Sequence, residues 1–213
     1  MANSGDTIHL SGAALADHNH VCAFFHSQDE EYAALLPFIQ EGVDRGERAF
    51  HIVDPRFKQD HRLRLQEAGM QVDELESRKQ LEIRVWEQAY LRSGQFDQND
   101  MLTLIQEVLN EGKTEGFPLT RLVAHMEWSL EQRAGVGDIM EYESRLNYVL
   151  PQFKDPVICV YDLAKFGAGT VIDILRTHPM VLLGGVLHVN PFYTSPDEFI
   201  KELHFRQNRT GSM

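Results

Sequence analysis

Residues 20–54 read HVCAFFHSQDEEYAALLPFIQEGVDRGERAFHIVD, and their patterning sets the fold class. His20-Val21-Cys22-Ala23-Phe24-Phe25 is a short apolar run rich in strand formers, as a buried strand requires. Ser27 stands three residues before Glu30, the spacing at which two side chains cap each other's backbone amides at a helix start. Tyr32, Leu35, Leu36, Ile39 and Val43 follow at helical spacing and make one apolar stripe. Gly46 suits the left-handed residue that closes a helix, and residues 49–53 form the next buried strand. Pro37 removes one backbone bond inside the helix, which costs about 3 kcal/mol unless a kink accommodates it.

A strand running into a helix N-terminus is where many α/β proteins hold phosphate, because free amides and the helix dipole face the anion. Such a loop needs glycines for close backbone approach and a lysine for charge. Here the turn reads His26-Ser27-Gln28-Asp29-Glu30-Glu31. It has neither, and three acids stand where phosphates would be. A nucleotide held in that manner is not expected.

The 213 residues are enough to bury a sizeable core in one α/β domain. A formal net charge of -12 argues against direct nucleic-acid binding, which needs a basic footprint, and against an anionic membrane surface. Cys22 and Cys159 both fall in apolar strand candidates, where buried free thiols in a reducing compartment are expected. Residues 1–17 have no basic start and no long apolar core, so they are read as a flexible leader and not a signal peptide. No apolar run reaches membrane-spanning length. A cytoplasmic location is expected.

Beyond the opening unit, Asp54-Pro55 looks like a cap with proline at the first helical position. Phe57, Leu65 and Ala68 mark a helix ending near Gly69. Residues 71–80 read as a charged surface connection, and 87–98 have no clear pattern. Leu81, Ile83 and Val85 alternate with Glu82 and Arg84, which suggests a strand near a sheet edge. Asn99 is a candidate cap for a helix carrying Met101, Leu104, Ile105 and Val108. Residues 119–126 and 156–161 are buried strands. Asp138 with Glu141, and Thr170 with Asp173, repeat the capping spacing. Residues 180–189 read as one strand with a bulge at Gly184-Gly185, followed by a short helix from Ser195. Strands and helices alternate at least five times, which predicts a mostly parallel sheet with helices on both faces. One domain over residues 18–205 is expected, with a flexible tail at 206–213.

The sequence resembles the MEDS family, the methanogen and methylotroph sensory domain first described in a dichloromethane-responsive transcription regulator. The resemblance is carried by His20-Val21-Cys22-Ala23-Phe24-Phe25, Asp29-Glu30-Glu31-Tyr32, and Pro37-Phe38-Ile39-Gln40-Glu41-Gly42. It continues in Arg45-Gly46-Glu47-Arg48, Met126-Glu127-Trp128, Cys159-Val160-Tyr161-Asp162, His178-Pro179 and Asn190-Pro191-Phe192-Tyr193. It implies a RecA- and KaiC-like fold without a working phosphate loop, serving as a sensor of small hydrocarbon derivatives. In the regulator that names the family the domain is joined to a DNA-binding segment. Residues before 20 and after 205 are too few for a helix-turn-helix. Output through a signalling partner is therefore expected, whether a kinase, a sigma-factor regulator or a transcription regulator. Self-association is a possibility by analogy with RecA-like proteins.

Ligands of open α/β sheets bind beyond the carboxyl ends of the strands. The side chains expected there are Phe25, His26, Ser27, Asp54, His125, Glu127, Trp128, Tyr161, Asp162 and Asn190, a mixture of aromatic walls and polar anchors. Each also has a plainer reading. Ser27 and Asp54 suit helix caps, Trp128 and Tyr161 suit core, and Asp162 suits a turn. The expected molecule is a non-catalytic sensor with no metal and no cofactor. Its rivals are a metal-assisted hydrolase using His125 and Glu127, a thiol nucleophile paired with His125, and a pure protein-interaction module.

Overall fold

The computed structural model describes residues 7–15, 19–91 and 94–210. A hairpin of β1 (His9–Leu10) and β2 (Ala13–Ala14) precedes β3 (His20–Phe25), α1 (Gln28–Asp44) and β4 (Arg48–Val53). A 3-10 turn at Pro55–Phe57 leads into α2 (Lys58–Glu67), α3 (Val72–Ser77) and β5 (Leu81–Val85). Then come α4 (Gln98–Thr114), β6 (Thr120–His125), α5 (Ile139–Val149), β7 (Val157–Asp162) and α6 (Ala168–Thr177). The described chain closes with β8 (Met180–Leu183), β9 (Val186–Val189) and α7 (Pro196–Thr210).

Seven strands form one sheet in the order β5-β4-β6-β7-β3-β8-β9. All neighbours are parallel except β8 and β9. The expected mixed-face α/β architecture is the one observed, with β5 at an edge. Each inner strand is apolar on both faces because both are covered. Val21, Ala23 and Phe25 pack with Leu35, Phe38 and Leu65 on one side. Cys22 and Phe24 pack with Leu104, Tyr142 and Leu146 on the other. The pleat alone assigns these sides, since successive residues of a strand point oppositely.

Several boundaries differ from the sequence reading, each for a local reason. Residues 71–80 contain α3, which buries Val72 and Leu75. Of residues 87–98, 92 and 93 lie outside the described residues, and Ala89, Tyr90, Leu91 and Phe96 are buried. Asp97, not Asn99, caps α4, because its carboxylate reaches the amides of Asn99 and Asp100. Asp138 makes no capping bond, and Thr170 lies within α6, which starts after Gly167. Residues 180–189 are a hairpin and not one bulged strand. Gly184 and Gly185 both have positive φ, +57° and +74°, as a two-residue turn between twisted strands requires.

The expected leader includes the β1–β2 hairpin, where Leu10 is fully buried. The backbone N–H and Nδ1 of His9 reach the Glu41 carboxylate, and Arg45 donates to Thr7 O. Residues 1–6, 16 and 17 of that leader lie outside the described residues, as does residue 18. Likewise α7 continues through residue 205 to Thr210, and 211–213 of the expected tail lie outside.

Two buried arginines brace the amino ends of the strands. Arg48 meets Glu82 at 2.6 Å and Glu111 at 3.2 Å. Arg121 donates to Glu47 at 2.5 Å, to Glu41 at 2.9 Å and to Phe38 O at 2.5 Å. Gly42 lets α1 approach, since a Cβ there would stand 2.6 Å from the Arg121 side chain. Removing one partner of a buried pair strands the other charge, which costs about 3–5 kcal/mol. Arg121→Ala is accordingly expected to lower unfolding free energy by about that much in urea titration. A loss under about 1 kcal/mol would show that the network adds little.

Candidate functional site

A cleft enclosing about 550 Å³, part of it open to solvent, crosses the carboxyl ends of β3, β4, β6 and β7. These four strands are consecutive neighbours in the sheet. Phe25, Val53 and Val160 form apolar walls, and Tyr32 of α1 and Phe57 close the sides. Phe57 is 41% exposed, so it stands at the mouth and not in the helix stripe expected of it.

Ser27 lines the cleft and also caps α1, accepting from the Glu30 amide at 3.3 Å. The return bond of the expected pair is displaced by one residue. Glu30 accepts from the amide of His26 at 2.8 Å, not from that of Ser27. Asp54 caps the turn after β4 through the Arg56 amide and pairs with the Arg56 guanidinium at 2.5 Å. Its carboxyl sits below the ordinary carboxylate range. Burial works to raise it, and the Arg56 side chain and amide outweigh that.

The centre of the cleft is an ion pair that sequence reading did not supply. His125 Nε2 lies 2.7 Å from Glu31 Oε1, and its Nδ1 donates to Ile52 O at 3.1 Å. Burial acts to lower the pKa of His125, but the Glu31 carboxylate, with help from Glu127, pushes it up to about 9. Both groups are mostly buried, at 13% and 10% exposed. Behind them runs a chain of hydrogen bonds. Tyr32 Oη meets His61 Nδ1 at 2.6 Å, and His61 Nε2 meets His51 Nδ1 at 2.8 Å. Burial first, then the neighbouring His125 charge, lowers His51 to about 3. His61 is pushed well down by burial first, and then by the neighbouring His51 and His125 rings, which disfavour a further positive charge beside them. The two rings are therefore neutral and relay a dipole, not a charge. Three histidines, Glu31 and Tyr32 thus meet at the cleft floor. The clue in the sequence was His51, a lone polar residue in an apolar strand, which must find a partner when buried.

Glu127 lies on a 3-10 turn after β6 and faces Lys165 at 3.5 Å, while Asp162 holds the same Lys165 at 3.0 Å. His125 and Glu127 both line the cleft but are committed to different partners. No three histidine, cysteine or acidic groups of this cleft, among the described residues, bring ligand atoms together around one point. The geometry does not supply the metal-assisted hydrolase with its site. Cys22 and Cys159 are buried free thiols that burial pushes well up, which disfavours a nucleophilic role.

Four expected residues are elsewhere. His26 is exposed and outside the cleft lining. Trp128 is fully buried, stacked on Tyr90 at 4.2 Å and near Phe96 at 4.8 Å. The chain leaves β6 at His125 and turns, so Trp128 is driven into the core. Tyr161 has the opposite parity to Val160 and points into the core under α5. Asn190 follows β9, which runs against the parallel strands, so it lies at their amino ends. There its Nδ2 donates to Leu175 O and His178 O, and its amide to Pro179 O.

A mostly parallel sheet layered by helices, with its cleft beyond the carboxyl ends of the strands, defines a layered α/β protein of RecA- and KaiC-like fold. The fold matches a KaiC-like protein of the archaeon Pyrococcus horikoshii with a TM-score of 0.57 and 16% identity, covering 81% of this chain and 73% of that one. Residues 19–179 match the MEDS model, the methanogen/methylotroph DcmR sensory domain, and the chain belongs to that family. It is also 25% identical over 171 residues to the transcriptional repressor DcmR of Methylorubrum extorquens, covering 79% of this chain and 61% of the repressor. The chain thus spans about three-fifths of that relative's length.

His125 binds its proton more tightly in the fold than its ordinary value of 6.5, at about 9. The stability it contributes is fully present below pH 6.5 and is lost as pH rises through about 9. At about 1.4 kcal/mol per unit, the loss is on the order of 3 kcal/mol. Unfolding free energy measured from pH 6 to 10 is expected to fall across that window. Glu31→Gln should flatten the fall and move the titration of the His125 ring down from about 9, because burial then acts with less opposition. An unchanged profile in Glu31→Gln would show that the pair does not govern it.

Proposed function

We propose that this chain senses a small organic molecule in the carboxyl-end cleft and passes the event to a regulatory partner by protein contact. The observation that carries the reading is the cleft itself. It occupies the place where α/β sheets bind ligands, with Phe25, Val53, Phe57 and Val160 as walls around the Glu31–His125 pair. The α1 first turn, with Asp29, Glu30 and Glu31, repels phosphate and leaves room for a short, weakly polar molecule such as a hydrocarbon derivative. The DcmR relative is a transcriptional repressor, and control of transcription through a partner is the output we assign. Leu183, Val186, Val189 and Phe192 are exposed along the β8–β9 edge and its exit. That apolar edge is a surface fit for protein contact. Among the described residues no helix is long and apolar enough to cross a membrane, which agrees with action in the cytoplasm.

A ligand drives such a module only as far as its affinities for the two states differ. The segments we assign to the change are the turn at 26–31 and residues 163–170, because Lys165 spans from the second to Glu127 across the cleft. Two-dimensional NMR of the labelled chain with short alcohols, aldehydes and halogenated alkanes, dichloromethane included, tests the reading. Shifts are expected at Ser27, Glu31, His125 and Lys165. Phe57→Ala, which removes an aromatic wall worth about 1.5–3 kcal/mol when covered, should weaken binding about tenfold or more. Perturbations confined to the β8–β9 edge, or binding indifferent to Phe57→Ala, would place the ligand elsewhere.

A further inference from the structure

At the opposite end of the sheet, four side chains from four parts of the chain converge. His20 opens β3, Glu143 is on α5, Cys159 is in β7, and His178 sits in the corner between α6 and β8. All four are buried, none more than 2% exposed. One atom from each lies within 4.8 Å of every other. Glu143 Oε2 is 3.4 Å from His20 Nε2, 3.3 Å from His178 Nε2 and 3.8 Å from Cys159 Sγ. Cys159 Sγ is 3.7 Å from His20 Nε2. With zinc–nitrogen bonds of about 2.0–2.1 Å and zinc–sulfur bonds of about 2.3 Å, tetrahedral ligands stand roughly 3.3–3.6 Å apart. The four measured edges are within a few tenths of an ångström of that figure.

Hydrogen bonding fixes which ring atoms face inward. Asn147 Nδ2 donates to the carbonyls of Glu143, Ser144 and Thr177, so its Oδ1 is the atom that meets His20 Nδ1 at 3.1 Å. A carbonyl only accepts, and Ile174 O lies 2.8 Å from His178 Nδ1. Both Nδ1 atoms therefore carry hydrogen, and both Nε2 atoms turn lone pairs toward a carboxylate that also only accepts. His178 Nε2 and Glu143 Oε1 have no hydrogen-bond partner. Lone pairs facing one another in a buried space require a cation between them. Outer partners that hold the distal ring nitrogen are also what orient histidines on a metal.

We infer that His20, Glu143, Cys159 and His178 form a closed tetrahedral site for a divalent soft-to-borderline cation, zinc by the chemistry of its donors. Imidazole, thiolate and carboxylate together suit zinc. Its two positive charges balance one carboxylate and one thiolate, so the buried site is neutral. Four protein ligands leave no open position, which makes the site structural. It ties α5 to β3, β7 and the α6–β8 corner. His20 lies roughly 16 Å along β3 from Phe25 at strand rise, and Cys159, which precedes the cleft wall Val160, packs on the opposite face of the sheet, so the site is distinct from the cleft and does not depend on the sensory reading.

The full chain expressed in zinc-supplemented medium is expected to carry one zinc per chain by mass spectrometry under native conditions, and to melt at lower temperature after chelation. Expressed with cobalt instead, it should show tetrahedral cobalt absorption and a thiolate-to-cobalt charge-transfer band. Cys159→Ser should lose that band, and Cys22→Ser, the neighbouring thiol, should keep it. Asn147→Ala should weaken metal retention about 10–100-fold. Wild-type protein that holds neither metal, so that protons alone fill the space, would overturn the inference. So would a cobalt spectrum with no charge-transfer band, or one that survives Cys159→Ser unchanged.

Discussion

The constraint on which the molecule depends is that its parallel sheet is covered on both faces. A strand with helices above and below has little room for polar side chains along its length; all six residues of β3 are buried, and the one charged-type side chain among them, His20, stands at its amino end. Polarity is therefore pushed to the two ends of the sheet, where backbone groups also need partners. The carboxyl end opens into a cleft. The amino end is closed by buried arginines, and on the face covered by α5 lies the His20–Glu143–Cys159–His178 cluster.

The two ends solve the problem of buried charge differently. At the cleft, Glu31 and His125 neutralise each other at 2.7 Å, and the His51–His61–Tyr32 chain behind them stays neutral. The pair is near enough to solvent for an incoming molecule to perturb it. At the amino end, Arg121 is 1% exposed and locked by two carboxylates and a carbonyl. Nothing there can be displaced without exposing charge to a low-dielectric interior. A rigid base beneath a polarisable rim is what a ligand sensor needs, because binding must do work on one region without loosening the rest.

The fold was legible because periodicity carries it. His20–Phe25 and the Tyr32-Leu35-Leu36-Ile39-Val43 stripe specify strand and helix from residue spacing alone, and the structure follows them. The same pleat would have placed Tyr161 correctly. Val160 faces α1, so Tyr161 had to face α5. Position along a strand says how near its end a side chain lies but not which face it takes, and that is why Tyr161, though at the carboxyl end of β7, belongs to the core and not to the cleft. Trp128 was misplaced because a 3-10 turn after His125 reverses direction without glycine or proline to announce it. Asn190 was misplaced because Gly184-Gly185 was read as a bulge, and a hairpin there sends the following chain to the other end of the sheet.

The residues that were missed share one property. Glu31, His51, His61, Glu143 and His178 are polar groups that the fold buries, and each has a partner at least ten residues away in sequence. Spacing rules detect ligands and partners that are close along the chain, whereas a layered α/β fold brings together residues from successive crossovers. His20 and Glu143 are separated by most of four strand-helix units, yet both point into the same layer. His20 shares parity with Cys22 and Phe24, and Glu143 is on the helix that covers them. A buried histidine or glutamate in an otherwise apolar element thus demands a partner before the partner can be named. Combining that demand with strand parity restricts the partner to one face of the sheet, which is enough to bring His20, Cys159 and α5 together from sequence and topology.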